Sequence, residues 1–397
     1  MEFINRVIGD IKRIITAGRF KRYAPLVLVV LISLVSFATC VRWLEPEPEP
    51  PPVIVAPTSY EPPPSPSPSP SPEPSPEPSP EPSPEPDYTG PVNPLTGLPT
   101  EEDISNNRPF AFVINNIKGA IPQLGVSKAD IIVEVLVEGG ITRMLALYQD
   151  ISDVGVIGSI RSSRTVFVDL AQSYDALFVF AGGSPQAYSA LSKRDITRFD
   201  GVAGPRAEIF YRDQHRRNTM GFAHSLVTTG KRITDRLPEY NLRLELPDGY
   251  ERALSFAEDG TPEGGAPAVD FTVKFGGSTK TTSFEYNTED CLYYIRQYGS
   301  DYCDGNDGSQ LAVTNVLILR ASISGIPGDD AGRLNITTTG HGAGYYICGG
   351  KHIEIDWSRA SESSQFLYTH KDGSELVLGC GRTYVCIVTN SVDVVLD

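Results

Sequence analysis

Beyond residue 90 the apolar positions fall into short blocks separated by glycine-rich and polar breaks, the pattern of a strand-rich globular chain. Pro109–Asn116 reads as a buried strand. Ile131–Glu138 reads as a second, stopping at Gly139-Gly140, and Thr142–Gln149 follows closely enough to return as a hairpin. After Val154–Ile160, the three- and four-residue spacing of Val166, Phe167, Leu170 and Ala171 predicts a helix with Arg161 and Arg164 in its opening turn. Ala176–Phe180 then runs as a strand into Gly182-Gly183. Ser184 is placed to cap a following helix whose first residue is Pro185, because a serine oxygen can accept from the first turn and proline needs no N–H there.

The second half changes character. Phe271–Phe275, Thr282–Tyr286, Cys291–Arg296, Asn315–Arg320, His352–Trp357 and Thr383–Val388 alternate apolar and polar residues between turn signals, with no convincing long helix. The expected fold class is an α/β (or α+β) layered first domain with a mixed sheet over 91–256. A linker over 257–267 follows, then a mostly antiparallel β domain over 268–397.

The first ninety residues are of another kind. Residues 1–23 are basic, with Phe3, Ile4, Val7, Ile8, Ile11, Ile14 and Ile15 at helical spacing, as in an interfacial amphipathic segment. Ala24 to Val41 carries no charge, and Lys12, Arg13, Arg19, Lys21 and Arg22 precede it. That asymmetry predicts a transmembrane signal-anchor over 24–43: a single-pass cell-membrane protein, amino terminus inside, folded domains extracytoplasmic. Lipidation at Cys40 after a secretory signal, or simple cleavage, are the alternatives. Residues 44–90 form a Pro/Glu/Ser-rich stalk with nine acids between Glu45 and Asp87, whose prolines favour polyproline II and whose charges repel.

The formal net charge of -15 argues against nucleic acid or anionic polymer held by bulk attraction, but a local basic cluster can still hold one phosphate or carboxylate. Arg161 and Arg164, three residues apart, with Arg143 and the Gly182-Gly183-Ser184 turn, make the candidate anion site, and Arg212 and Arg217 add to it. The competing reading has these arginines paired with Asp169, Glu134 or Glu138. Glu138, Asp213 and His224 are the candidate catalytic groups, Glu138 as acid or base and Asp213 as a partner orienting a histidine near Ser225. No cofactor and no metal site is expected, the five histidines being scattered and the Asp301–Asp307 run lacking EF-hand spacing. Cys291–Cys303 and Cys380–Cys386 are candidate disulfides, with Cys348 left over. Tyr293, Tyr294, Tyr345, Tyr346, Trp357 and Tyr384 form either a binding face or cross-strand packing.

Several motifs in order resemble the DUF3048 family of YerB-type bacterial envelope proteins. They include Asn93-Pro94-Leu95-Thr96-Gly97, Ala120 to Ile131, Glu138-Gly139-Gly140-Ile141-Thr142-Arg143, Gly158 to Arg164, Ala181 to Pro185, and Gly349-Gly350-Lys351 with Trp357-Ser358. The likeness covers nearly everything after residue 90. It implies a tethered two-domain protein, often a lipoprotein, with no established reaction. Ala223-His224-Ser225 departs from the Pro-His-Asn of that family. The expected function is an envelope protein binding a surface partner or an anionic wall component, with an extracytoplasmic phosphotransferase or hydrolase as the alternative. Whether it is an enzyme, and its oligomeric state, stay open at this stage.

Overall fold

The computed structural model describes residues 90–275, 280–392 and 394–396. Strands β1 (Phe110–Asn115), β2 (Ile131–Leu136) and β3 (Thr142–Tyr148) are buried almost throughout, so each reads as an apolar run. Helix α1 (Thr165–Ser173), β4 (Leu177–Phe180), α2 (Pro185–Lys193) and β5 (Arg198–Asp200) follow, and Val156–Gly158, Tyr211–Arg212 and Leu226–Thr229 form a separate small sheet. Ser184 caps α2 by accepting from Ala187 N at 3.1 Å, with Pro185 at the first helical position, as its sequence predicts.

The second half begins with β6 (Asp270–Lys274), β7 (Thr281–Asn287) and β8 (Leu292–Gln297), antiparallel neighbours in a six-stranded sheet. Then come β9 (Asn315–Gly325), β10 (Leu334–Thr337), β11 (Gly340–Cys348), β12 (Lys351–Arg359) and β13 (Thr383–Thr389). The first half is therefore a mixed sheet with helices and the second mostly antiparallel, the expected fold class. Strands of both halves share one twelve-stranded sheet, nine of whose strands run in the order β12-β11-β9-β13-β2-β3-β1-β4-β5, with β10 and the short segments Ala266–Pro267 and Leu367–Thr369 paired to β9 and β12. Strand β13 makes the join, running parallel to both β9 and β2.

Strands β1, β4 and β5 are mutually parallel, and β2 runs with β1 because both are antiparallel to β3. Their carboxyl ends, at Asn115, Leu136, Phe180 and Asp200, lie along one edge, the edge where open parallel sheets place ligands.

The single-pass membrane topology is corrected. No helix among the described residues is long and apolar enough to cross a membrane. The longest, α1 and α2, have nine residues each, about 14 Å at 1.5 Å per residue against a hydrocarbon core of about 30 Å. The expected transmembrane signal-anchor over 24–43, like the interfacial segment and the stalk, lies outside the described residues.

All five described cysteines are unbridged; Cys386 is buried in β13 and Cys380 packs on the Gly97 carbonyl. Of the six aromatic candidates, Tyr293, Tyr346, Trp357 and Tyr384 are at most 3 % exposed and pack in the core. Asp304 is spent on Gly125 N, Ser127 N and Oγ, and Asn306 N, tying the loop before β2 to the second half.

Candidate anion-binding site

Four loops meet at the carboxyl edge. Segment 160–164 is not the start of a helix. Ile160 bridges Ile114, and Arg161 N donates to Val113 O, so this stretch lies extended beside β1. Helix α1 begins only at Thr165, with Arg164 as its cap residue. The next loop docks against it: Ser163 N donates to Gly182 O at 2.9 Å and Ser184 N to Ser163 O at 3.2 Å. Gly182, at φ 73°, turns its own N–H onto Asp200 Oδ1 at 2.8 Å. Gly182 and Ser184 thus spend their polar groups inside the scaffold, and the two turns touch each other instead of flanking a gap.

The arginines point elsewhere. Arg143, opening β3 and 3 % exposed, donates to Ser162 O at 2.6 Å and pairs with Glu138 at 3.2 Å. Arg164 grips the same carboxylate through both Nε (2.9 Å) and Nη2. Burial would raise the Glu138 carboxyl, but the Arg164 bond and the charges of Arg143 and Arg164 outweigh it and hold it at about 2. Glu138 therefore answers Arg143 and Arg164. Asp169 instead pairs with Arg194, and Glu134 with Lys280.

Arg161, Arg212 and Arg217 have no carboxylate partner among the described residues. Arg161 reaches the Ala223 carbonyl at 3.3 Å. Arg212 donates to Phe222 O at 2.7 Å and stacks on the Phe222 ring at 3.8 Å, with Arg217 at 5.5 Å from the same ring, which is 59 % exposed. Burial and neighbouring guanidinia depress these groups together. Arg143 falls to about 9, chiefly by burial and then by Arg164. Arg161 is lowered by burial and by Arg164, and Arg212 by burial, Arg217 and Arg161. Cations that push down one another's pKa mark a place where an anion would be stabilised.

The candidate catalytic groups take other positions. His224 Nδ1 lies 2.8 Å from Asn115 Nδ2, and burial, then the charges of Arg161 and Arg216, lower its pKa and disfavour its charged form. Asp213 caps the short helix Gln214–Thr219 by accepting from Arg216 N at 2.7 Å. Ser225 Oγ donates to Phe222 O. Among the described residues no hydrogen bond joins Asp213 to either histidine or His224 to Ser225, and Glu138 is held by two guanidinia.

Other members have no local sequence signal. Gln123 Nε2 donates to Asn115 O, and Asn115 N donates to Ser159 O, bringing Gln123 and Ser159 fully buried to the end of β1. Arg216 braces the floor, donating to Pro122 O, Ala120 O and His224 O. Gln123 Oε1, Ser159 Oγ, Arg143 Nε and Arg161 Nε are all buried without a hydrogen-bond partner, a concentration of unmet polar capacity at one strand end.

The chain is similar to known proteins over most of the described residues. The description "Protein of unknown function (DUF3048) N-terminal domain" matches residues 95–243, and its C-terminal counterpart matches residues 271–385. YerB of Bacillus subtilis (strain 168), whose name carries a provisional lipoprotein label, is 31% identical over 297 residues, 74% of this chain and 85% of the relative. The crystal structure of YerB from Bacillus subtilis superposes with a TM-score of 0.66 at 28% identity, covering 77% of this chain and 99% of that one. With both family domains matched in order across most of the described residues, the chain belongs to the DUF3048 family.

Proposed function

We propose that this protein is an envelope-associated binding protein that holds an anionic ligand at the carboxyl edge of its large sheet, on Arg143, Arg161 and Arg164. The lipoprotein label of its relative supports association with a membrane. The observation that carries the anion reading is the pair of buried, unpartnered guanidinium nitrogens, Arg143 Nε and Arg161 Nε, at one strand end. Three guanidinia against the single carboxylate of Glu138 leave two uncompensated positive charges there, with Arg212 and Arg217 extending the field. Binding is favoured over catalysis because Glu138, at about 2, is too weak a base and too firmly paired to accept a proton at neutral pH. Asp213 is spent on its helix cap, and His224 meets the Asn115 amide, not a carboxylate.

Titration calorimetry of the full chain with inorganic phosphate tests the reading. Binding is expected, weakened roughly tenfold or more in Arg161→Ala, since a charge-assisted hydrogen bond contributes about 1.5–3 kcal/mol. Absence of phosphate binding by the intact protein, or equal binding by the variant, would end it.

A further inference from the structure

One imidazole stands at the same strand end as the arginines. His224 Nδ1 lies 2.8 Å from Asn115 Nδ2, and Asn115 is the direct cross-strand neighbour of Arg143, so the side chains of Asn115 and Arg143 leave the same face of the sheet. Arg161 reaches the carbonyl of the residue before the histidine, Ala223, at 3.3 Å. We propose that His224 is a fourth binding residue of the arginine site and that it takes up a proton as the anion binds. The proposal rests on the anion reading above and adds how that site is tuned by pH.

The pair is fixed in its backbone and free in its side chains. Arg216 donates to His224 O at 3.0 Å and to the carbonyls of Ala120 and Pro122, which holds the histidine. Asn115 N donates to Ser159 O, and Gln123 Nε2 donates to Asn115 O, which holds the asparagine. Among the described residues the two side chains make no hydrogen bond except to each other. With the imidazole neutral, Nδ1 accepts from the Asn115 amide and Nε2 carries the proton, a donor free to meet an anion. With the imidazole charged, Nδ1 becomes a donor, and a half-turn of the amide presents Asn115 Oδ1 to accept it. That turn breaks no other bond, so the pair accommodates both protonation states.

Charge decides which state is held. Arg161 acts on His224 from the extended segment beside β1, and Arg216 from the short helix Gln214–Thr219. Arg212 adds a cation at the Phe222 carbonyl, while Asp213, the acid that opens the short helix, is engaged by Arg216 N at 2.7 Å. In the free protein, burial and the two acting cations disfavour the imidazolium. A dianion on Arg161 offsets that repulsion and adds attraction, so protonation becomes favourable. By linkage the protonated protein then holds the anion more tightly. Glu138, at about 2, and Arg143, at about 9, keep their charges near neutral pH, which leaves His224 to titrate there.

Sulfate is the probe, because it stays a dianion near neutral pH whereas phosphate itself titrates there. Calorimetry of the full chain should show sulfate binding roughly threefold or more tighter at about pH 6 than at about pH 8, the limit for one proton being about tenfold per pH unit. Heats measured at about pH 7 in two buffers of different ionisation enthalpy should differ in the sense of proton uptake. His224→Gln, which keeps a neutral donor but cannot take a charge, should bind sulfate equally at both pH values without uptake. Should the parent bind sulfate equally at both pH values with no uptake, or should His224→Gln keep the parent's ratio, the histidine proposal is overturned while the anion reading stands. Should sulfate bind the parent at neither pH, both are overturned.

Discussion

Replacing Glu134 by glutamine should expose the buried electrostatics that lock the two halves of the chain together. Glu134, on β2, and Lys280, just before β7, are both fully buried and pair at 2.9 Å. The carboxylate also accepts from Asn116 Nδ2 (2.8 Å), Thr142, Thr282 (2.8 Å) and Tyr384 (2.7 Å). Lys280 donates in addition to Thr282 Oγ1 and Gln297 Oε1, each at 2.8 Å. Burial already depresses the Lys280 pKa, and the Glu134 charge opposes that fall. Glu134→Gln is nearly isosteric but leaves the ammonium uncompensated, a change that costs about 3–5 kcal/mol in comparable buried pairs. The lysine can limit the damage by losing its proton. Doing so at pH 7 from an unfolded value near 10.4 costs about 5 kcal/mol, which sets the ceiling.

The sign of the pH dependence follows. With the folded Lys280 pKa below its unfolded value, the unfolded chain binds the extra proton, so stability rises with pH up to about 10. In Glu134→Gln that rise should begin at lower pH than in the parent, at no more than about 1.4 kcal/mol per unit. Urea unfolding followed by tyrosine fluorescence and far-UV circular dichroism at pH 7 and pH 9 measures both effects. The double variant Glu134→Gln/Lys280→Met should recover a large part of the loss, because no unpaired charge remains. A deficit under about 1 kcal/mol at pH 7, a deficit equal at pH 7 and pH 9, or strictly additive single variants would refute the reasoning.

Three other outcomes can be checked by equilibrium unfolding. Glu138, depressed to about 2 in the fold, contributes stability above its unfolded pKa that disappears as pH falls through about 2, at most about 3 kcal/mol. Glu138→Gln should therefore flatten the acid limb of the stability profile between about pH 5 and pH 2. A methyl group on Gly230 would stand 1.6 Å from the Ile151 carbonyl oxygen, so Gly230→Ala should destabilise by about 1–3 kcal/mol or more, seen as a lower urea midpoint. Arg359, 1 % exposed, donates to the carbonyls of Asp169, Glu362 and Ser364 and to Thr338 Oγ1. Arg359→Met would orphan those acceptors at a cost of about 2–4 kcal/mol, and an unchanged midpoint would contradict that role.

Much of the fold was legible in the amino-acid order because its determinants are local. Apolar runs at 110–115, 131–136 and 142–148 form strands there, the Gly139-Gly140 break forms the hairpin bend, and Ser184-Pro185 starts a helix through contacts within four residues. Motif order also sufficed to place the chain in its family. Helical spacing after Arg161 was misleading at its edge, since pairing of Ile160 and Arg161 with β1 draws those residues into extended backbone. Which arginine meets which acid was beyond local pattern. Glu134 and Glu138 look alike along the strand, yet the chain bends at Glu138 and delivers it to Arg143 and Arg164, while Glu134 stays inside and finds Lys280. Gln123, Ser159 and His224 converge on Asn115 only once β1 is surrounded. Periodicity is set by side chains a few positions apart, so the sequence alone determines which segments become strands and helices. Register between strands as distant as β2 and β13, and with it the arginine edge and the buried ion pair, follows from the packing of the whole core, and only the tertiary structure decides it.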